Sequence, residues 1–459
     1  MTLLTPTPAQ LRWQQLEFGA FIHFGINTFA GKEWSDGTLP ASLFNPEGLD
    51  AGSWVRTAKE AGARYLILTA KHHDGFCLWP TATTDYSVES SPWHGGSGDV
   101  VREVAEACAE QGVGLGLYLS PWDRNADCYS DPAAYDDFYV QQLTELCTGY
   151  GPLMELWFDG AGSVGREYDW DRIIGVVKEH QPDAMIFNMG QPTIRWVGNE
   201  NGLASDPVNY VVDRTSDTQY TDSTSGLRTE HYLPPECDVS LRRGWFWHPD
   251  DEPKSTEHLL AIYYQSVGMG ANLLLNLTPD TRGLIPELDV ARLREWKVEL
   301  DRRLSGAVEA TVEHHDGGAT LTFPAAVTFN HLELVEDLGS GQRITQHEVF
   351  AGGVGDGVVF AGDVGDVGDG GVLVEGKTVG NRRIHQLPVV TANRLHVKLS
   401  GAGDTGADGG LASSVARSVP GGATGGGGRL KSARVYTGAL DAGVPTIPEG
   451  YEAPTDAPD

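Results

Sequence analysis

Between residue 18 and about residue 305, short apolar runs alternate with helix-length amphipathic stretches, and no other feature restricts the fold of this chain as strongly. The apolar runs are Phe18–Gly25, Tyr65–Lys71, Val113–Ser120, Leu153–Asp159, Ala184–Met189 and Ala271–Leu277. Helical patterns fill Ala51–Ala61, Asp99–Gln111, Pro132–Cys147, Trp170–His180 and Ser255–Val267. Near-continuous apolar runs suit strands buried on both faces, which is what crossover helices make of a parallel sheet. Asp99 and Ser255 carry side-chain oxygens able to accept from the first unpaired amides of a helix. The expectation is an α/β chain: a (β/α)8-like barrel over residues 1–305, irregular from about 190 to 250 where no helical pattern shows, and closed by a helix at Leu288–Leu304.

Beyond residue 305 the texture changes. Ala319–Phe323, Val327–Leu334, Arg343–Phe350, Val358–Phe360, Val389–Thr391, Arg394–Leu399 and Lys431–Thr437 are short, β-prone and bounded by turn residues. They predict a β-sandwich over 306–440, followed by an extended tail over 441–459. Two pieces stand apart: 351–371 repeats Val-Gly-Asp units, and 401–428 is rich in glycine. Both read as surface loops. The nonapeptide period that calcium-binding Asp-Gly repeats require is absent from them.

The charge balance narrows the partners. With 33 Lys+Arg against 63 Asp+Glu, the net charge is −30. Such a surface repels phosphate backbones and anionic lipid headgroups, so neither nucleic acid nor a membrane is expected as a partner. No apolar run approaches the roughly 20 residues that span a bilayer. Met1–Gln10 has no Lys or Arg and no long apolar stretch, so no secretory leader is expected. The five cysteines, an odd number with no CxxC pair, read as reduced thiols. A cytoplasmic protein is the expectation.

In a barrel of this kind, chemistry collects at the C-terminal ends of the strands. The first strand ends in Ile22-His23-Phe24-Gly25, with Glu33-Trp34 in the loop after it. The second ends in Lys71-His72-His73-Asp74-Gly75-Phe76, and the third in Tyr118-Leu119-Ser120-Pro121-Trp122-Asp123-Arg124. The fourth ends in Trp157-Phe158-Asp159-Gly160, and the fifth in Asn188-Met189-Gly190. Nearly every strand thus delivers a histidine, an aromatic ring or a carboxylate where it hands over to loop, which is the make-up of a pocket.

There is no phosphate-binding GxxxxGK[ST] loop and no GxSxG nucleophile elbow. His72 and His73 are the only tempting metal ligands, and adjacent residues of a strand point to opposite faces, so a shared ion is not expected. Indoles cover the apolar C–H faces of a pyranose, while imidazoles and carboxylates bond its hydroxyls. Glycoside hydrolysis then needs two carboxyl groups. Asp159, ending an apolar strand beside Trp157-Phe158, is the expected nucleophile. For the acid/base, Glu200 in Arg195-Trp196-Val197-Gly198-Asn199-Glu200 and Glu236 in Pro234-Pro235-Glu236-Cys237-Asp238 are rivals that spacing alone does not separate.

The ordered set Gly19-Ala20-Phe21-Ile22-His23-Phe24-Gly25, Glu33-Trp34, Lys71-His72-His73-Asp74-Gly75-Phe76, Tyr118-Leu119-Ser120-Pro121-Trp122-Asp123 and Trp157-Phe158-Asp159-Gly160 resembles the α-L-fucosidases of glycoside hydrolase family 29, over about residues 12 to 280. The resemblance implies a retaining hydrolase whose nucleophile falls on Asp159. It also implies that His23, Glu33, Trp34, His72, His73, Tyr118 and Trp157 surround the fucose, and that a β-sandwich follows the barrel. The run Arg195–Glu200 looks like the subgroup acting on branched α-1,3 and α-1,4 fucosyl linkages, which favours Glu200 over Glu236. The implied partner is a fucosylated oligosaccharide, with no metal and no organic cofactor. Arg243 stands where many relatives have proline, and oligomeric state is left open.

Overall fold

The computed structural model describes residues 4–215, 227, 229–351, 359–360, 371–401 and 428–451. The chain divides into two compact units. One runs from Pro6 to Arg302 and includes the segment from Gly443 onward; the other holds Arg303–Ala442 with the residues before Pro6.

The first unit is built on eight parallel strands: β1 Phe18–Ile22, β2 Tyr65–Lys71, β3 Gly114–Leu119, β4 Leu153–Trp157, β5 Met185–Phe187, β6 Arg195–Trp196, β7 Pro235–Ser240 and β8 Asn272–Leu277. They lie in the order β5-β4-β3-β2-β1-β8-β7-β6. Phe187 at the end of β5 bridges Ile194, just before β6, again in parallel, so the sheet curls into a nearly closed barrel. Helices Ala51–Ala61, Val100–Gln111, Pro132–Gly149, Trp170–His180 and Thr256–Gln265 start on the side-chain oxygens of Asp50, Asp99, Asp131, Asp169 and Ser255. Among the described residues, no helix is long and apolar enough to cross a membrane. All five cysteines are free thiols, and four of them are buried.

Six strands fall on the runs expected from sequence; β6 and β7 are where the pattern was hidden. β6 is only two residues long, too short to show a period. β7 is buried at all six positions yet carries Glu236, Asp238 and Ser240 on its inward face, so its polar content masks a core strand. No helix lies between β6 and β7 among the described residues.

The second unit is an antiparallel sheet folded around an apolar core that includes Leu321, Phe329, Leu334, Val349, Val390, Val397 and Val435. Two 19-residue strands, Gly318–Glu336 and Arg383–Gly401, run through both of its halves. Each replaces two short strands expected from sequence. Register shifts between Thr322 and Val327 and between Phe329 and His331 let the backbone bend without ending the ladder. Most of 351–371 and 401–428, the segments expected to be surface loops, lies outside the described residues.

Candidate active site

Along a strand entering the barrel, every second side chain faces inward, and three strands use this to stack polar groups in layers. β4 and its exit send in Glu155, Trp157 and Asp159; β7 sends in Glu236, Asp238 and Ser240; β8 sends in Asn272 and Asn276. The upper layer opens into a cleft of about 560 Å³, its open mouth included. His23, Glu33, Trp34, His72, Trp157, Asp159 and Glu200 line it, all expected from sequence, together with Phe21, Phe187, Asn188, Trp196, Asp238 and Trp245. Tyr118 and His73 stand just behind, touching Asp159.

Asp159 is held by two donors, with His73 packed beside it. The Ala161 amide donates to its Oδ1 at 2.8 Å, the Tyr118 hydroxyl donates to its Oδ2 at 3.0 Å, and His73 Nε2 lies 3.6 Å from the same oxygen. Burial raises the Asp159 pKa above the usual carboxylate range, and the Ala161 and Tyr118 donors act against that rise.

The three histidines are neutral. Burial pushes His23 and His73 down to about 3, and burial with its two histidine neighbours pushes His72 well below the ordinary imidazole range. Their tautomers follow from the hydrogen-bond chains. Asn276 Nδ2 donates to the Ser240 hydroxyl and the Trp245 carbonyl, so its Oδ1 faces His23 and accepts from His23 Nδ1 at 3.0 Å. Ser120 donates to the Trp122 carbonyl, so its oxygen accepts from His73 Nδ1 at 2.7 Å. The His23 and His73 rings therefore each keep a bare Nε2 as an acceptor. His72 and His73 sit side by side, ring centroids 4.2 Å apart. The opposite-faces argument does not apply to them, because β2 ends at Lys71 and both lie beyond the pleat. Among the described residues no group of three or more His, Cys, Asp or Glu is placed to hold a metal ion.

The loop after β7 completes the wall. Glu33 Oε2 accepts from the amides of Trp245 at 2.8 Å and Phe246 at 3.3 Å. Gly244 makes that approach possible, because a Cβ there would stand 2.3 Å from Glu33 Oε1. Trp245 Nε1 in turn points at Glu200 Oε2, 3.4 Å away. Trp34 packs edge-on against His73 and Trp122, and Trp157 stacks on Phe187 with centroids 3.9 Å apart.

Glu236 lies one layer lower than the cleft. It is fully buried, accepting from the Tyr65 hydroxyl at 2.5 Å and from Trp157 Nε1 at 3.1 Å. Tyr65 fits because β1 offers Gly19 opposite, where a Cβ would stand 2.4 Å from the ring. Glu155 is beside Glu236 and accepts from Trp13 Nε1 at 2.9 Å. Burial raises both carboxyls, and their mutual bond raises Glu155 while lowering Glu236. Glu155 Oε1 meets no donor among the described residues, which fits Glu155 carrying the proton and giving it to Glu236. This pair is a floor beneath the site, and of the two rival glutamates only Glu200 faces the cleft.

Sequence reasoning missed Asp238 as a lining residue. The available signal was its spacing of two from Glu236, which puts both on one face of a strand.

The sequence model of the family described as alpha-L-fucosidase matches residues 40–297. The chain is 39% identical to Alpha-L-fucosidase 1 of Arabidopsis thaliana over 431 residues, covering 85% of this chain and 83% of the relative. Its structure is similar to that of a glycoside hydrolase 29 family member from an unknown rumen bacterium, with a TM-score of 0.78 and 33% identity, covering 95% of this chain and 77% of that one. It is also similar to a Ruminococcus gnavus GH29 fucosidase solved in complex with fucose, with a TM-score of 0.74 and 29% identity, covering 87% of this chain and 92% of that one.

Proposed function

The chain belongs to the α-L-fucosidase family and is a glycoside hydrolase, and we propose that it is a retaining exo-enzyme releasing terminal α-1,3- and α-1,4-linked L-fucose from oligosaccharides. Asp159 attacks the anomeric carbon, and a fucosyl ester forms as the glycosidic bond breaks. Glu200 gives its proton to the leaving oxygen, then takes one from the water that opens the ester. The observation that carries this reading is the shared cleft: Asp159 and Glu200 both line it, whereas Glu236 is spent on Tyr65 and Trp157 beneath.

The rest of the site suits a deoxysugar. Trp34, Trp157 and Trp245 supply apolar faces, and the bare Nε2 of His23 and the carboxylate of Glu33 accept from hydroxyls. Because burial keeps the histidines neutral well into the acid range, they bind through lone pairs and not through charge. The fucose complex of the R. gnavus relative supports L-fucose as the sugar, and the resemblance of Arg195–Glu200 to the branched-linkage subgroup supports the linkage.

The test is NMR of the protein with a Lewis-type trisaccharide carrying α-1,3- or α-1,4-fucose, beside an aryl α-L-fucoside. α-L-Fucose as the first-formed anomer from the trisaccharide is the expected result. β-L-Fucose would overturn the retaining mechanism, and cleavage of the aryl fucoside alone would overturn the linkage. Asp159→Ala should lower kcat by about 10³-fold or more.

A further inference from the structure

The proposed reaction uses two carboxyl groups, but the cleft holds two more, Glu33 and Asp238. Glu33 is tied to the loop after β7. Asp238 has no such tie to the chemistry. It stands on β7 with its side chain turned inward, 3% exposed, and still lines the cleft. Trp196 Nε1 donates to its Oδ1 at 2.7 Å, and apart from its own amide no other donor among the described residues meets it. None of the residues lining the cleft is lysine or arginine. A buried carboxyl with one side-chain donor and no cation, facing a polyol site, is a binding group waiting for its partner.

We propose that Asp238 contacts the bound sugar: Trp196 fixes one carboxyl oxygen, and the other hydrogen-bonds a hydroxyl of the fucosyl unit. The inference rests on the fucosidase reading above. Asp238 acts as a neutral acid. Burial, and after it the neighbouring carboxyls of Glu236 and Asp159, push its ionisation well above the usual range, against the opposing Trp196 bond. A protonated carboxyl can accept from Trp196 and donate to the sugar at once, and it spares the ionised nucleophile a second negative charge nearby. The contact also joins the sugar to the segment between Trp196 and Glu200, which carries the acid/base.

Calorimetry of L-fucose binding, beside hydrolysis of an aryl α-L-fucoside whose leaving group departs without protonation, tests the assignment. Asp238→Asn keeps an acceptor for Trp196 and a donor for the sugar, and should hold fucose affinity within about 5-fold. Asp238→Ala should weaken it about 30-fold or more and raise KM for the aryl fucoside in parallel. Wild-type affinity should fall toward alkaline pH as Asp238 ionises, and that fall should be missing from Asp238→Asn, a difference that a merely structural role would not produce. A folded Asp238→Ala that binds fucose like wild type overturns the proposal, as does an Asp238→Asn that keeps the alkaline fall. Wild-type protein that neither binds fucose nor cleaves the aryl fucoside overturns the fucosidase reading as well.

Discussion

Asp159 sits between opposing demands: burial favours its neutral form, while the Ala161 amide and the Tyr118 hydroxyl favour the carboxylate that the proposed attack requires. Removing a donor that bonds the charged form raises a carboxyl pKa. Tyr118→Phe should therefore move the acid limb of kcat/KM to higher pH and lower the plateau about 10-fold; an unmoved limb would detach Tyr118 from the ionisation of Asp159. The floor pair makes a second residue-level prediction. If Glu155 is the proton donor and Glu236 the acceptor of three bonds, Glu155→Gln keeps a donor and should change stability little. Glu236→Gln turns a donor toward Tyr65 or Trp157 and should destabilise by about 2 kcal/mol, read from chemical denaturation. Equal losses for the two variants would contradict that assignment of the proton.

At the scale of elements, the loop from Leu241 to Lys254 matters most, because it holds Glu33 through two backbone amides and meets Glu200 through Trp245. It is anchored at both ends. Arg242 pairs with Asp289 at 2.8 Å, and Lys254 Nζ donates to the carbonyls of Ser240 and Arg242 at 2.6 and 2.7 Å. Gly244→Ala would drive a methyl group against Glu33 Oε1 and turn it out of the cleft. We expect kcat/KM to drop about 10- to 100-fold with a thermal midpoint shifted by only about 2 °C. A large melting shift without a kinetic effect would mean the loop absorbs the methyl elsewhere. β7 shows the converse relation of element to residue: a strand buried at every position accommodates Glu236 because tyrosine, tryptophan and a neighbouring carboxyl bond it.

At the scale of the whole molecule, the second unit has an acid sensitivity of its own. His347 Nδ1 lies 2.9 Å from the Lys377 carbonyl and so carries its proton there, leaving His347 Nε2 to accept from His385 Nε2 at 2.7 Å. A proton added to His347 Nε2 opposes N–H to N–H. Burial holds His385 well below, and His331 at about 4, against 6.5 for an ordinary histidine. In the unfolded chain these groups take up protons near 6.5, so the stability that neutral burial provides is present above that pH and is lost as pH falls from 6.5 toward the folded values. Glu336, raised by burial, acts in the opposite sense but is one group against two. Hydrogen exchange in peptides covering Arg383–Gly401, corrected for intrinsic rate, should quicken between pH 7 and 5; constant protection would refute the account. Strand and helix positions in the barrel were legible because apolar periodicity and capping residues act within a few positions of one another. His23, Glu33, Asp159 and Glu200 were legible because chemistry concentrates where parallel strands end. The resemblance of Arg195–Glu200 already favoured Glu200 over Glu236, but the depth of Glu236 beneath the cleft, the pairing of His72 with His73, and the presence of Asp238 in the cleft are visible only in the folded barrel. Depth below the rim, not sequence spacing, sets which carboxyls meet a substrate and which are buried on tyrosine and tryptophan.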